Sequence, residues 1–213
     1  MAVAKHLGKP TRAVLTAMDQ PLGRAVGNAL EVAESIDCLR GRGPADTMEV
    51  TLALGEQMLL LTGAAPTKVE ARAKLEAGLA SGAALRKFRE IVAAQGGDVS
   101  VIDDPTRLPQ ARLQEPVTSA RGGYVSEVNA FDVAIAALRL GAGRARAEDR
   151  VDPAVGVSGL VKIGERVPPG GVLAVIHAND EKSLAEARSI VEGAIVLADE
   201  AVAAPELIAE LIG

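Results

Sequence analysis

The sequence predicts an α/β chain in two parts, on three observations. Residues 11–18 form an apolar run with little polar alternation, as in a strand buried on both faces of a parallel sheet. Four helical stretches follow, at about residues 26–39, 46–61, 67–79 and 83–94, punctuated by Gly41, Gly63, Gly82 and Gly96-Gly97. From about residue 114 the texture changes to short strand-like runs interleaved with helices around glycine turns, an α+β pattern.

The elements follow from local chemistry. Residues 2–7 read as the last turns of a helix ended by Gly8 and Pro10. Thr67-Lys-Val-Glu70, directly after Pro66, is a capping-box pattern that marks the start of the third long helix. Residues 99–113, with Pro105 and Pro109, read as a linker. Beyond it, Val117 and residues 124–128 are strand-like around Gly122-Gly123, and residues 131–140 form a short apolar helix after Asn129. Residues 156–163 read as a strand, 164–171 as a tight loop, 172–177 as a dense strand and 180–193 as an amphipathic helix, with a strand at 195–198.

Residues 15–35, LTAMDQPLGRAVGNALEVAES, hold the most chemistry. An apolar run closes at Met18, Pro21 bars regular pairing, and Gly23 permits a turn that other residues resist. Gly27-Asn28 leads into the helical pattern Ala29, Leu30, Val32, Ala33, Ile36. Such a turn can aim several carbonyl oxygens at one spot while Glu34 approaches from the helix. Neutral carbonyls with one carboxylate suit a hard, weakly charged cation.

Composition sets bounds on partners. The chain has 213 residues, 48% of them hydrophobic, enough for one or two real cores. A net charge of -5, one Tyr and two Phe argue against a nucleic-acid surface. Cys38 is the single cysteine, which excludes a disulfide framework and a thiolate cluster and reads as a buried small hydrophobe. No basic leader is read and no apolar run reaches membrane length, so the expected location is cytoplasmic.

Other features read as structural. Gly141-Ala-Gly143-Arg144, with Arg146 and Arg150, lacks the strand before and helix after that a phosphate cradle needs, and reads as a helix C-terminus with arginines holding the loop. His6 and His177 share no metal-ligand spacing and have no evident nucleophile partner. Glu31 and Glu34 share one helix face, as surface carboxylates commonly do.

At residues 15–35 a resemblance becomes specific: the segment is similar to the metal loop of the thymidine phosphorylase and pyrimidine nucleoside phosphorylase family. The similarity continues through ARAKLEAGL, FREIVAAQGG, GYVSEVNAFDVAIAALRLGAGRARAEDRVDPAVG and VLAVIHANDE, in the family's order. These blocks belong to the second half of a family member. The resemblance implies a partial α/β phosphorylase domain over residues 1–100, a linker over 101–113 and a C-terminal phosphorylase domain with a hammerhead-like barrel over 114–213.

The resemblance also implies phosphorolysis by a pentosyltransferase. Phosphate attacks C1′ of a pyrimidine nucleoside, giving the free base and a pentose 1-phosphate of inverted configuration. The site must hold phosphate in line with C1′, stabilise an oxocarbenium-like sugar and neutralise the departing base. The family's Ser-Thr-Gly-Gly-type phosphate loop and Ser-x-x-Ser-Lys-Lys-like base-binding helix have no counterpart here, so no catalytic or substrate-binding residue is assigned. The Leu22 and Ala25 carbonyls and the Glu34 carboxylate match the family's potassium ligands, the remaining ones lying on the absent phosphate loop. Phosphate is the expected co-substrate, and no organic cofactor is expected. Family members are homodimers through a helical domain that lies upstream.

The expectation is therefore a C-terminal fragment inactive alone, from a truncated gene, a split gene or a start codon placed too far downstream. The isolated chain should be marginal, or associate with itself or with an N-terminal companion, because its strand needs sheet neighbours and its helices present apolar faces. One alternative is a non-catalytic remnant kept for binding or assembly. Another is a carrier module, since VKIGERVPPGGVLAVIHA resembles biotinyl and lipoyl domains; there Lys162 sits in a strand with no Met beside it. Archaeal nucleotide phosphorylases share the fold and remain an alternative within the same chemistry.

Overall fold

The computed structural model describes residues 2–144 and 146–213, apart from the side chain of Lys5. The chain forms two compact units that interleave along the sequence: residues 1–17, 37–97 and 206–213 make the first, residues 18–36 and 98–205 the second.

The first unit holds α1 (Ala2–His6), β1 (Ala13–Thr16), α3 (Ala45–Leu61), α4 (Lys68–Ala80), α5 (Ala83–Ala94) and β8 (Ile208–Ile212). The last residues of α2 (Asn28–Leu39) also belong to it. Thr67 caps α4 as its sequence predicts, its hydroxyl accepting from the Glu70 N–H at 3.2 Å. Helices α3 and α4 approach closely at Gly55, where a Cβ would lie 2.8 Å from Leu75. The carboxylate of Glu56, 1% exposed, stands 2.7 Å from the Arg72 Nε and 3.6 Å from the Lys68 Nζ, so the buried charge is neutralised from the facing helix. Cys38 is half-buried, against the expectation of full burial.

The parallel sheet expected around residues 11–18 is not what forms. β1 pairs antiparallel with β8, with Ala13 opposite Ile212, and every strand pairing among the described residues is antiparallel. An apolar run does not encode the direction of its partner, and here Leu15 stays half-exposed, so the strand is not covered on both faces. The expected apolar exposure of the helices is present: Leu54, Met58 and Leu61 share one face of α3 in contact with solvent, as does Ile91 on α5.

The second unit carries the main core, about two three-stranded antiparallel sheets and two helices. One sheet has the order β2 (Leu113–Thr118), β6 (Val172–Ala178), β4 (Gly156–Ser158); the other has β5 (Arg166–Val167), β3 (Gly123–Val128), β7 (Ile195–Ala198). Gly122-Gly123 therefore moves the chain from one sheet to the other. Helix α7 (Ala130–Leu140) packs on α8 (Glu181–Ala194), each started by a side-chain cap, Asn129 to the Asp132 N–H and Asp180 to the Ser183 N–H. Val117, Val125, Val128, Val133, Val157, Ile176 and Val191 are fully buried between these layers. The predicted linker stretch holds α6 (Ser100–Asp103) and a 3-10 turn at Pro105–Arg107. The strand expected over 156–163 stops at Ser158, because Gly159 takes φ +61°.

One crossing positions everything discussed below. Val26 and Val157 exchange both backbone hydrogen bonds, each 2.8 Å. The residues beside them are Gly27 (φ +146°) and Gly156 (φ +150°), and a Cβ on either would meet the other strand's carbonyl oxygen at 2.5 or 2.3 Å. Gly156→Ala should destabilise the chain by about 3 kcal/mol, from overpacking against backbone and an unfavourable φ. Urea unfolding checks this: a midpoint unchanged from that of the parent chain would mean the crossing relaxes freely.

Candidate functional site

The loop leading into α2 is tied to the rest of the second unit at Asp19, Gln20, Pro21, Arg24 and Val26. Asp19 offers its carbonyl to the Ala130 N–H at 3.1 Å, at the start of α7. The Gln20 side-chain oxygen accepts from the Ile163 N–H at 3.0 Å, and the Pro21 carbonyl accepts from the Lys162 ammonium. Gly23 takes φ +73°, the turn its sequence permits. The Arg24 guanidinium donates to the Leu160 carbonyl at 2.8 Å and forms a bidentate pair with the Glu165 carboxylate. The Arg24 carbonyl in turn accepts from the Leu160 N–H at 3.1 Å. Past the Val26 bridge, Gly27 opens α2, its N–H donating to the Glu31 side chain at 2.9 Å.

Among the described residues, no hydrogen bond is made to the carbonyls of Met18, Gln20, Leu22 and Ala25. The Ala25 residue is buried, where unpaired carbonyls are uncommon. Glu34, one turn and a half into α2, reaches back so that its Oε1 accepts from the Arg24 N–H at 2.9 Å. Glu34 is thereby held at the backbone of the loop that carries Leu22 and Ala25, the two residues that the resemblance pairs with it. Glu31 and Glu34 are not simply surface carboxylates: both turn toward the loop that precedes their helix.

The sequence missed the groups that hold the loop, Arg24, Lys162 and Glu165. Arg24 and Glu165 are separated by 141 positions, so no spacing joins them. The available signal was a basic residue inside the loop and an acidic one after the Gly164 turn. Lys162 lies in a turn rather than a strand, with its amine on the Pro21 carbonyl, which removes it from the display that a carrier lysine needs. Gly141 caps α7 with φ +104°, as expected of a helix C-terminus.

His177 does have a hydroxyl partner, contrary to expectation. Its Nε2 lies 2.7 Å from the Ser158 Oγ across the β4–β6 pair. Burial lowers its pKa, which favours the neutral imidazole. The bond satisfies a buried imidazole, and among the described residues no group of three or more His, Cys, Asp or Glu is placed to hold a metal ion.

The Glu165 carboxyl is held below its ordinary range, first by the Arg24 hydrogen bond, opposed by desolvation and helped by the Lys162 N–H. A depressed folded-state pKa contributes stability that is present above the unfolded value, about 4.3, and lost as pH falls through the folded one. Glu165→Gln should therefore lower Tm at pH 7, and the gap from the parent chain should close below about pH 4. Melting curves across that range check it; a gap that persists at low pH would refute the ionic role.

Comparison with known proteins bears directly on this loop. Residues 124–198 match the model of the pyrimidine nucleoside phosphorylase C-terminal domain, and residues 1–85 match that of the glycosyl transferase family a/b domain. The pyrimidine-nucleoside phosphorylase of Bacillus subtilis strain 168 is 47% identical over 210 residues, covering 99% of this chain and 48% of the relative. That of Staphylococcus aureus strain USA300 is 44% identical over 210 residues with the same coverage. The chain spans about half the length of the curated relatives it matches. On these matches, which between them include the loop, the antiparallel module and the helices, the chain belongs to the pyrimidine nucleoside phosphorylase family.

Proposed function

We propose that the chain is the cation-loop and C-terminal portion of a pyrimidine nucleoside phosphorylase and is inactive alone. The reaction is the family's: a phosphate oxygen bonds to C1′, the C1′–N bond breaks, and its electron pair leaves with the base, which is protonated. The products are the free base and ribose or deoxyribose 1-phosphate. Thymidine and uridine are both candidate substrates, and the groups that bind nucleoside and phosphate lie in a further segment. A homodimer assembled through that segment, a cytoplasmic location and a hammerhead-like barrel in the second unit belong to the same reading. No helix among the described residues is long and apolar enough to cross a membrane.

The observation that supports the reading is the Glu34 carboxylate accepting from the Arg24 N–H, inside the loop that carries Leu22 and Ala25. One carboxylate with neutral carbonyl oxygens fits potassium, and it lacks the imidazole or thiolate that zinc prefers. Bound there, potassium would supply a fixed positive charge beside the phosphate-binding segment. The chain's own part is to hold Leu22, Ala25 and Glu34 in place, and the apolar face of α3 at Leu54, Met58 and Leu61 offers cover for a companion segment.

The test is base release from thymidine or uridine with phosphate. The purified chain should release none. Co-expressed and co-purified with the remaining half of the Bacillus subtilis relative, it should release base in a phosphate-dependent manner. Release by the chain alone refutes its inactivity, and a co-purifying pair that releases nothing refutes the phosphorylase reading.

A further inference from the structure

The turn at residues 160–165 makes more contacts with the loop than a spacer would. Lys162 grips the Pro21 carbonyl, the Ile163 N–H meets Gln20, and Glu165 pairs with Arg24. These contacts fall at residues 20, 21 and 24, on either side of Leu22 and next to Ala25. The turn is itself rigid. The Glu165 N–H donates to the Lys162 carbonyl at 3.0 Å, and the Lys162 N–H donates to the Glu165 carboxylate at 2.9 Å. It is also tied to the central strand β3 from both sides, Gly164 N–H to the Val125 carbonyl at 2.8 Å and Val125 N–H to the Glu165 carbonyl at 2.9 Å. Gly164 takes φ +94°, with the Val202 carbonyl 3.1 Å from where a Cβ would stand.

We propose that Lys162 and Glu165 are positioning residues that fix the Leu22 and Ala25 carbonyls, and thereby set how tightly and how selectively the loop binds potassium. This rests on the potassium reading of the loop. The peptide between Pro21 and Arg24 is clamped at both ends by one turn, so the direction of the Leu22 carbonyl depends on that turn. A carbonyl site discriminates between alkali cations by the number and placement of its dipoles. Partners that orient ligands in this way are worth roughly tenfold or more in metal affinity.

Charge and grip make opposite forecasts, which gives the proposal a sharp test. If only charge mattered, Lys162→Met would remove a repelling cation and tighten potassium binding, while Glu165→Gln would weaken it. A brace predicts that both weaken. The experiment is a titration of the full chain with potassium chloride and, separately, sodium chloride, at constant ionic strength, read by thallium-205 displacement and by the potassium-specific rise in Tm. Lys162→Met and Glu165→Gln should each raise the potassium dissociation constant roughly tenfold and narrow the gap from sodium. Lys162→Arg, which keeps a donor, should recover part of the loss. Glu34→Gln removes a ligand and should abolish the potassium response.

Tighter potassium binding in Lys162→Met overturns the brace. So does a lower ion-free Tm in both variants with an unchanged potassium response, which is all that a merely structural role would give. If Glu34→Gln loses the response while the brace variants keep it, the brace fails and the potassium site stands. A parent chain that responds equally to potassium and sodium overturns the site and the brace with it.

Discussion

The second unit depends on the crossing of Val26-Gly27 over Val155-Gly156. Two chain segments more than a hundred positions apart share both hydrogen bonds of the Val26–Val157 pair, at a separation that leaves no room for a Cβ. Glycine at both places is therefore a packing requirement as well as a conformational one. The crossing fixes where α2 begins, and with it the direction from which Glu34 returns to the loop. It also seals the end of β4, whose Val157 is fully buried in the core. A loop this close to the core inherits the rigidity of the sheet.

That rigidity is spread by polar contacts rather than by further apolar packing. The loop begins on the cap of α7, through the Asp19 carbonyl, and ends on β4 through Val26. Between them the 160–165 turn holds three of its residues. Arg24 does double duty: its side chain satisfies Glu165 and the Leu160 carbonyl, while its backbone N–H fixes Glu34. A half-buried arginine with a fork of donors can satisfy several acceptors at once, where lysine offers only a point charge.

How legible this was depends on the range of the interaction that decides each feature. The helices at 83–94 and 131–140, the Thr67 and Asn129 starts and the Gly141 stop were readable, because caps and periodicity act within a few residues. The pairing of β1 with β8 was not: Ile208–Ile212 comes from the far end of the chain, and a four-residue apolar run carries no record of its partner's direction. Strand 156–158 ended early for a reason that the apolar pattern through Val161 conceals, the backbone of Gly159. In the loop, Glu34 was readable from its helix, while Leu22 and Ala25 were named only through the resemblance. Lys162 and Glu165 could not, since only the folded unit brings their turn beside the loop. The Ser158–His177 bond escaped for the same reason, being a contact across a strand pair.

If the loop holds a cation as proposed, the charges around it constrain which one. Glu165 is matched by Arg24, Lys162 and Glu34 bring opposite charges to Pro21 and Arg24, and Glu31 adds one negative charge at Gly27. A divalent cation entering such a place would meet about one net negative charge to offset the loss of its hydration shell, which for magnesium is the dominant cost. A monovalent ion gives up its water more readily and can be held by dipoles. The same balance explains why the two clamping residues are charged in opposite senses. A brace made of two cations would repel the ion, and one made of two carboxylates would compete with the carbonyls as ligands. A lysine and a glutamate, each already engaged with the loop's own backbone or arginine, grip it from both ends and leave the neutral oxygens between them as the available donors.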